Sequence, residues 1–119
     1  TSSDQSSPSF INKTTLELFT TLYNSTQSSR ALGWDTNSYT LNDHGYSNSC
    51  GNLTESTFMH IGYTGTCVCV DPVSGVFSVI LTNRVYYCEG QSCSTGSPTG
   101  MYNQFNSFIA DFIKKNNGK

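Results

Sequence analysis

The sequence predicts an α+β domain in which an antiparallel β-meander is flanked by helices. Apolar residues recur at helical spacing over residues 12–23 and again over about 101–115. Between these two segments, three short apolar runs are separated by turn residues, a pattern typical of a meander. The remaining stretches, 35–56 and 88–100, are rich in polar residues and glycine and predict long loops.

Both predicted helices are amphipathic. Asn12 is a favourable N-cap for the first helix, and Lys114 and Lys115 suit the C-terminal dipole of the second. The apolar stripe of the second helix should face the core. The stripes consist of Leu16, Phe19 and Leu22 in the first helix and Tyr102, Phe105, Ile109, Phe112 and Ile113 in the second.

The predicted strands cover residues 57–61, 66–70 and 76–87. A Pro early and a Gly late in the segment 71–75 predict a hairpin turn between the second and third strands. The third strand begins with a nearly continuous apolar run, 76–81, which predicts burial on both of its faces. Because the two helices do not cover both faces of such a central strand, we expect the chain to belong to a larger assembly.

The composition limits the class of protein. The 119 residues amount to one domain at most, with a Ser-rich, flexible segment at 1–9 and a folded part at 10–119. Only 12% of the residues are charged and the net charge is -2, so nucleic acid is not an expected partner. No run of 18 apolar residues is present, and we expect no membrane span.

Several features predict an oxidising compartment. Ser, Thr and Asn make up 44 of the 119 residues, and glycosylation sequons begin at Asn12, Asn24 and Asn52. Five cysteines are present, and the chain begins at Thr1, which favours a mature product of proteolytic processing. We therefore expect a secreted glycoprotein, extracellular or in a lumen such as that of the lysosome.

The five cysteines allow at most two disulfides within the chain, in any of fifteen connectivities. Cys88 and Cys93 form the easiest local pair because a short polar loop separates them. Cys67 and Cys69 would point to the same face of a strand, so we expect each to meet a different partner. With Cys50 as the fifth, one thiol is left free or bonded to another chain. Disulfides explain Cys67 and Cys69 better than a zinc site does, because the C-x-x-C spacing is absent.

A resemblance emerges from segments in a characteristic order. A Gly-Trp-Asp stretch at 33–35 precedes the run His60-Ile61-Gly62-Tyr63-Thr64-Gly65, and an Asp-Pro turn at 71–72 and Leu-Thr-Asn-Arg at 81–84 follow it. Together these resemble the C-terminal part of the serine β-lactamase and penicillin-binding-protein-like family, in its β-lactamase-related esterase branch. The resemblance covers residues 10–115 and implies a closing helix packed across the sheet.

The resemblance implies three catalytic positions. His60 matches the Lys or His that lies beside the substrate, and Gly62 lets substrate approach the strand backbone. The N–H of Tyr63 matches one of two donors to the oxyanion of an acyl-transfer reaction. Ile61 departs from the hydroxyl residue usual at that position, which weakens the expectation of β-lactam recognition. The family implies no metal and no cofactor.

The nucleophile motif Ser-x-x-Lys is absent from the 119 residues. We therefore expect a serine hydrolase of esterase, amidase, peptidase or β-lactamase type whose nucleophile lies on a separate N-terminal chain of the same precursor. The alternative is a non-catalytic secreted glycoprotein of the same fold with a structural or binding role. A third interpretation, an unrelated small domain held by disulfides, predicts that the chain folds alone.

Overall fold

The fold is a four-stranded antiparallel sheet with two helices, which confirms the α+β class. The computed structural model describes residues 10–37, 48–86 and 98–117. The strands lie in the order β1-β2-β3-β4, so every strand pairs with its neighbour in sequence. The elements, in chain order, are α1 (Lys13–Thr20), β1 (Asp35–Thr36), β2 (Phe58–Ile61), β3 (Cys67–Asp71), β4 (Val76–Ile80) and α2 (Thr99–Asn117).

Helix α1 begins as predicted and ends early. The Asn12 side chain accepts a hydrogen bond from the Thr14 N–H at 2.8 Å, as an N-cap does. The helix ends at Thr20, because Thr21 turns to an extended conformation with φ -87° and ψ 137°. No residue of α1 is buried, and Leu16 and Phe19 of its apolar stripe are each about half exposed.

Strand β1 was missed because its two residues lie inside the predicted 35–56 loop. Asp35 pairs with Met59 and Thr36 with Phe58 across the ladder. The carboxylate of Asp35 is buried and accepts a hydrogen bond from the Ser29 hydroxyl at 2.8 Å. A polar two-residue strand has no apolar alternation, and only its long-range partner defines it.

One face of the sheet carries the core, which α2 covers. Met59 on β2 and the side chains of Cys67 and Cys69 on β3 point to this face, as alternation along a strand requires. Tyr102 and Ala110 of α2 pack against them. The predicted inward stripe of α2 is therefore only partly right, since Phe105 and Phe112 are exposed.

The prediction that the third strand is central and buried on both faces is wrong for the described part of the chain. Strand β4 ends at Ile80 rather than at 87, and it is the outer strand of the described sheet. Phe77 and Val79 are 71% and 52% exposed on the face opposite α2, which we call the open face. The apolar run correctly identified two apolar faces, but within the described residues only one of them is covered.

Asn106 of α2 joins the helix to three other parts of the molecule. Its buried side-chain amide donates to the Ser49 carbonyl at 3.0 Å and lies 3.4 Å from the Cys69 sulfur. Its Oδ1 accepts a hydrogen bond from the Ser78 hydroxyl on β4. The same loop approaches the helix closely at Gly51, where a Cβ would collide with the Asn103 carbonyl.

Replacing Asn106 with Ala should therefore destabilise the protein strongly. The substitution leaves the buried Ser78 hydroxyl without its partner and removes the hydrogen bond to the Ser49 carbonyl, and we expect a loss of about 2–4 kcal/mol in the free energy of unfolding. Urea denaturation followed by circular dichroism measures this loss. The exposed Gln104→Ala on the same helix is the control, and equal effects of both substitutions would contradict the role of Asn106.

Asp71 closes the β3–β4 turn and holds the preceding loop. Its carboxylate accepts hydrogen bonds from the Thr54 hydroxyl at 2.7 Å and from the Val73 N–H at 3.0 Å. Gly75 completes the predicted turn with φ +69° and donates its N–H to the Asp71 carbonyl at 3.0 Å. Burial by itself raises the pKa of Asp71, but the hydrogen bonds from Thr54 and Val73 outweigh it and hold the pKa below the usual 3.8.

Asp71 should therefore contribute to acid sensitivity. Because its pKa is lower in the folded than in the unfolded state, its contribution is present above pH 3.8 and is lost as the pH falls below that value. We expect the free energy of unfolding of Asp71→Asn to fall less steeply in acid than that of the wild type. Urea denaturation at a series of pH values tests this, with the exposed Asp111→Asn as control. Parallel acid profiles for wild type and Asp71→Asn would contradict it.

Candidate functional site

The predicted catalytic segment lies where β2 ends in a tight turn. The Gly65 N–H donates to the Gly62 carbonyl at 3.0 Å, and the Gly62 N–H donates to the Thr66 carbonyl at 2.8 Å. Gly65 has φ +101°, a conformation that favours glycine. A Cβ at Gly62 would also fall on the Thr66 hydroxyl. The backbone conformation therefore favours glycine at 65, whereas at 62 a side chain would have to displace the Thr66 hydroxyl.

The segment 81–84 holds this turn from the side. The Arg84 N–H donates to the Thr64 carbonyl at 2.8 Å, and its Nε donates to the Tyr63 carbonyl at 2.7 Å. The Thr82 hydroxyl donates to the Gly65 carbonyl. The Arg84 guanidinium lies 5.3 Å from the centre of the Tyr63 ring, within range of a cation–π interaction. The two segments that carry the resemblance are therefore in direct contact.

Tyr63 presents a free backbone donor at this turn. Its side chain is 80% exposed, and its N–H makes no hydrogen bond to the described residues. The carbonyl of the same residue is held by Arg84, which limits rotation of the turn. A fixed, unpaired N–H beside open space is suited to receive an anionic or carbonyl oxygen.

His60 does not share a pocket with Gly62 and Tyr63. It pairs with Val68 in the ladder and is exposed, whereas the next residue, Ile61, packs against the core. Since successive side chains of a strand point to opposite faces, His60 lies on the open face. The structure thus brings two of the three predicted catalytic residues to one wall and places His60 on the other side of β2.

A pocket of about 420 Å³ lies between this turn and the start of α2. Sequence reasoning assigned no ligand to this pocket, although the chain contains only two arginines and both line it. The Arg84 Nε is bound to the Tyr63 carbonyl. The described lining residues are Arg30, Ile61, Gly62, Tyr63, Arg84, Pro98, Thr99 and Tyr102.

Tyr102 forms the floor of the pocket. It is 1% exposed, and its hydroxyl makes no hydrogen bond within the described part of the chain. Burial raises the pKa of Tyr102 and the neighbouring Cys67 raises it further, while Arg84 and the nearby Thr82 hydroxyl oppose the shift. A buried hydroxyl without a partner is costly, so a hydrogen-bond acceptor that reached this group would be stabilised by it.

Cys67 and Cys69 do not pair with each other, as predicted, but only Cys69 forms a disulfide within the described chain. Cys69 forms a disulfide with Cys50, with the two Cα atoms 5.9 Å apart, and Cys67 remains a buried free thiol. The Cys67 sulfur lies 3.8 Å from that of Cys69, and burial raises the pKa of the Cys67 thiol to about 11. The predicted pair Cys88 and Cys93 lies outside the described residues.

The structure gives the positions of the other predicted sites but does not test their function. Asn12 and Asn52 are exposed and Asn24 is partly exposed, so their glycosylation stays a prediction. No cluster of His, Cys, Asp or Glu within residues 10–37, 48–86 and 98–117 is arranged to hold a metal. Neither of the two helices is both long and apolar enough to cross a bilayer.

Comparison with known proteins yields no relative. No protein-family description, curated protein sequence or solved structure matches the chain.

Arg84 should control the rigidity of the 62–65 turn. In Arg84→Ala, the loss of the bond to the Tyr63 carbonyl should let the turn open more often, with amide hydrogen exchange at Gly65 about five- to tenfold faster. NMR exchange rates provide the measurement. Lys115→Ala removes one positive charge from an exposed position on α2 and should leave this rate unchanged. An unaltered rate in Arg84→Ala would show that Arg84 does not hold the turn.

Proposed function

We propose that the chain is the C-terminal part of a secreted serine hydrolase of the β-lactamase and penicillin-binding-protein-like class. It would form one wall of the active site, and a separate N-terminal chain of the same precursor would supply Ser-x-x-Lys. The reaction is acyl transfer to a serine followed by hydrolysis of the acyl-enzyme, with an ester, amide or peptide as substrate.

The unpaired N–H of Tyr63 is the observation that carries this proposal. Arg84 holds the carbonyl of Tyr63, and the turn bonds of Gly62 and Gly65 fix the peptide on either side. A donor held in this way needs no reorganisation when negative charge develops on a carbonyl oxygen. Such a donor fits the oxyanion position that the resemblance implies for the residue after Gly62.

The open face supports the presence of a partner chain. Phe77 and Val79 expose apolar surface there, and β4 has no neighbour on its outer edge within the described sheet. An uncovered apolar face and an open strand edge are normally covered in a folded protein. His60 lies on the same face, so a chain that covers it would complete the surroundings of this histidine.

Ile61 favours the second candidate, a non-catalytic glycoprotein of the same fold. Its side chain packs against the core on the α2 side of the sheet and has no hydroxyl to offer a substrate. In this alternative the same surfaces serve a structural or binding role, and no acyl-enzyme forms.

A Tyr63→Pro substitution separates the two candidates. Proline removes the N–H, and its fixed φ suits the second position of the 62–65 turn. If the protein is a hydrolase, the rate of acyl-enzyme formation should fall about 100-fold or more. Tyr63→Ala removes the ring but keeps the N–H, and its rate should fall much less. Equal rates in the two variants would argue against the oxyanion role.

The rate is measured on native material, together with any chain that co-purifies, using a fluorophosphonate and a penicillin-type probe. We expect labelling of a serine in a co-purifying chain that contains Ser-x-x-Lys. Complete absence of labelling with both probes would exclude the hydrolase and leave the non-catalytic glycoprotein.

A further inference from the structure

We infer that the pocket between the 62–65 turn and the start of α2 binds a small organic acid, with the carboxylate between Arg30 and Arg84 and the apolar body against Ile61 and Tyr63. This site goes beyond the hydrolase proposal and does not rest on it. The pocket lies on the α2 side of the sheet, opposite the open face that carries His60.

The charge of the lining is the first argument. The chain is acidic overall and has six Lys and Arg residues, yet its only two arginines line this one pocket. The Arg84 Nε donates to the Tyr63 carbonyl and its guanidinium lies 5.3 Å from the Tyr63 ring, but its terminal N–H groups have no hydrogen-bond partner among the described residues. Arg30 lies 3.5 Å from one Asp35 oxygen, and its side chain is largely exposed. The guanidinium groups of Arg30 and Arg84 carry two positive charges and Asp35 carries one negative charge, so the described residues leave a net positive charge at the pocket.

A buried neutral donor is the second, independent argument. Tyr102 lines the same pocket, and its hydroxyl is shielded from solvent and has no hydrogen-bond partner within the described chain. A ligand oxygen would satisfy it and remove the cost of its burial. Helix α2 also begins at the pocket and has no acidic residue in its first turn, so its dipole adds to the attraction for an anion.

The shape and the apolar lining define the ligand class. A volume of about 420 Å³ is that of a small-molecule site. The planar guanidinium fork matches the two oxygens of a carboxylate. Ile61, Pro98 and the Tyr63 ring supply apolar surface that inorganic phosphate would leave without contact. These groups together favour a carboxylate attached to an aromatic or aliphatic body.

Binding is tested with benzoate, its neutral isostere benzamide, and inorganic phosphate. Each is titrated into the 119-residue chain, with any chain that co-purifies, and followed by NMR at the Tyr63 amide and the Arg84 Nε–H. We expect saturable shifts of both signals with benzoate and at least about tenfold weaker binding of benzamide. Equal binding of benzoate and benzamide, saturation by phosphate alone, or no saturable binding at all would each overturn the inference.

Two substitutions then locate the site without altering the turn. Arg30→Gln and Tyr102→Phe should each weaken benzoate binding about fivefold or more, because each removes one donor. Lys115→Gln and the exposed Tyr23→Phe are the matched controls and should bind as the wild type does. Wild-type affinity in both Arg30→Gln and Tyr102→Phe would show that the carboxylate binds elsewhere. Because binding is read without turnover, failure of this site leaves the probe-labelling result unaffected.

Discussion

The side chain of Asn106 is the interaction on which the rest of the structure depends. One buried amide holds α2 against β3, β4 and the loop at 48–51, at the point where the Cys50–Cys69 disulfide joins that loop to the sheet. The small core around it contains few large apolar side chains, so hydrogen bonds and the disulfide carry much of the contact between layers. The Asn106 side chain binds the Ser49 backbone carbonyl and the Ser78 hydroxyl at the same time. These two contacts fix the position of α2 over the sheet.

The position of α2 in turn determines the pocket. Tyr102, one helical turn before Asn106, comes to lie against the end of β2 and forms the floor beneath the 62–65 turn. Arg84 holds that turn from the opposite side by binding the Tyr63 carbonyl. Arg84 and Tyr102 thus both anchor the structure and supply donors to the proposed ligand site, because the segment that ends the sheet also borders the pocket.

The two faces of the sheet differ in how well they are covered, and the less covered face is a candidate surface for assembly. The α2 side has a packed core, whereas the open face leaves Phe77 and Val79 without cover and β4 without an outer neighbour in the described chain. Helix α1 likewise buries none of its apolar residues. A chain with this much uncovered apolar surface is expected to associate, and the proposed N-terminal chain is one way to satisfy it.

The sequence by itself determined the features that depend on near neighbours. The Asn12 cap, the turn at 71–75, the starts of the three longer strands and the absence of a Cys67–Cys69 pair all follow from local spacing, and the structure has each of them. The glycine at 65 is likewise a local feature, since the turn gives it a positive φ. Only the tertiary structure decided the short strand β1, the edge position of β4, the partner of Cys69 and the meeting of Arg30, Arg84 and Tyr102 at one pocket. These depend on contacts between residues far apart in the chain, which no local pattern encodes.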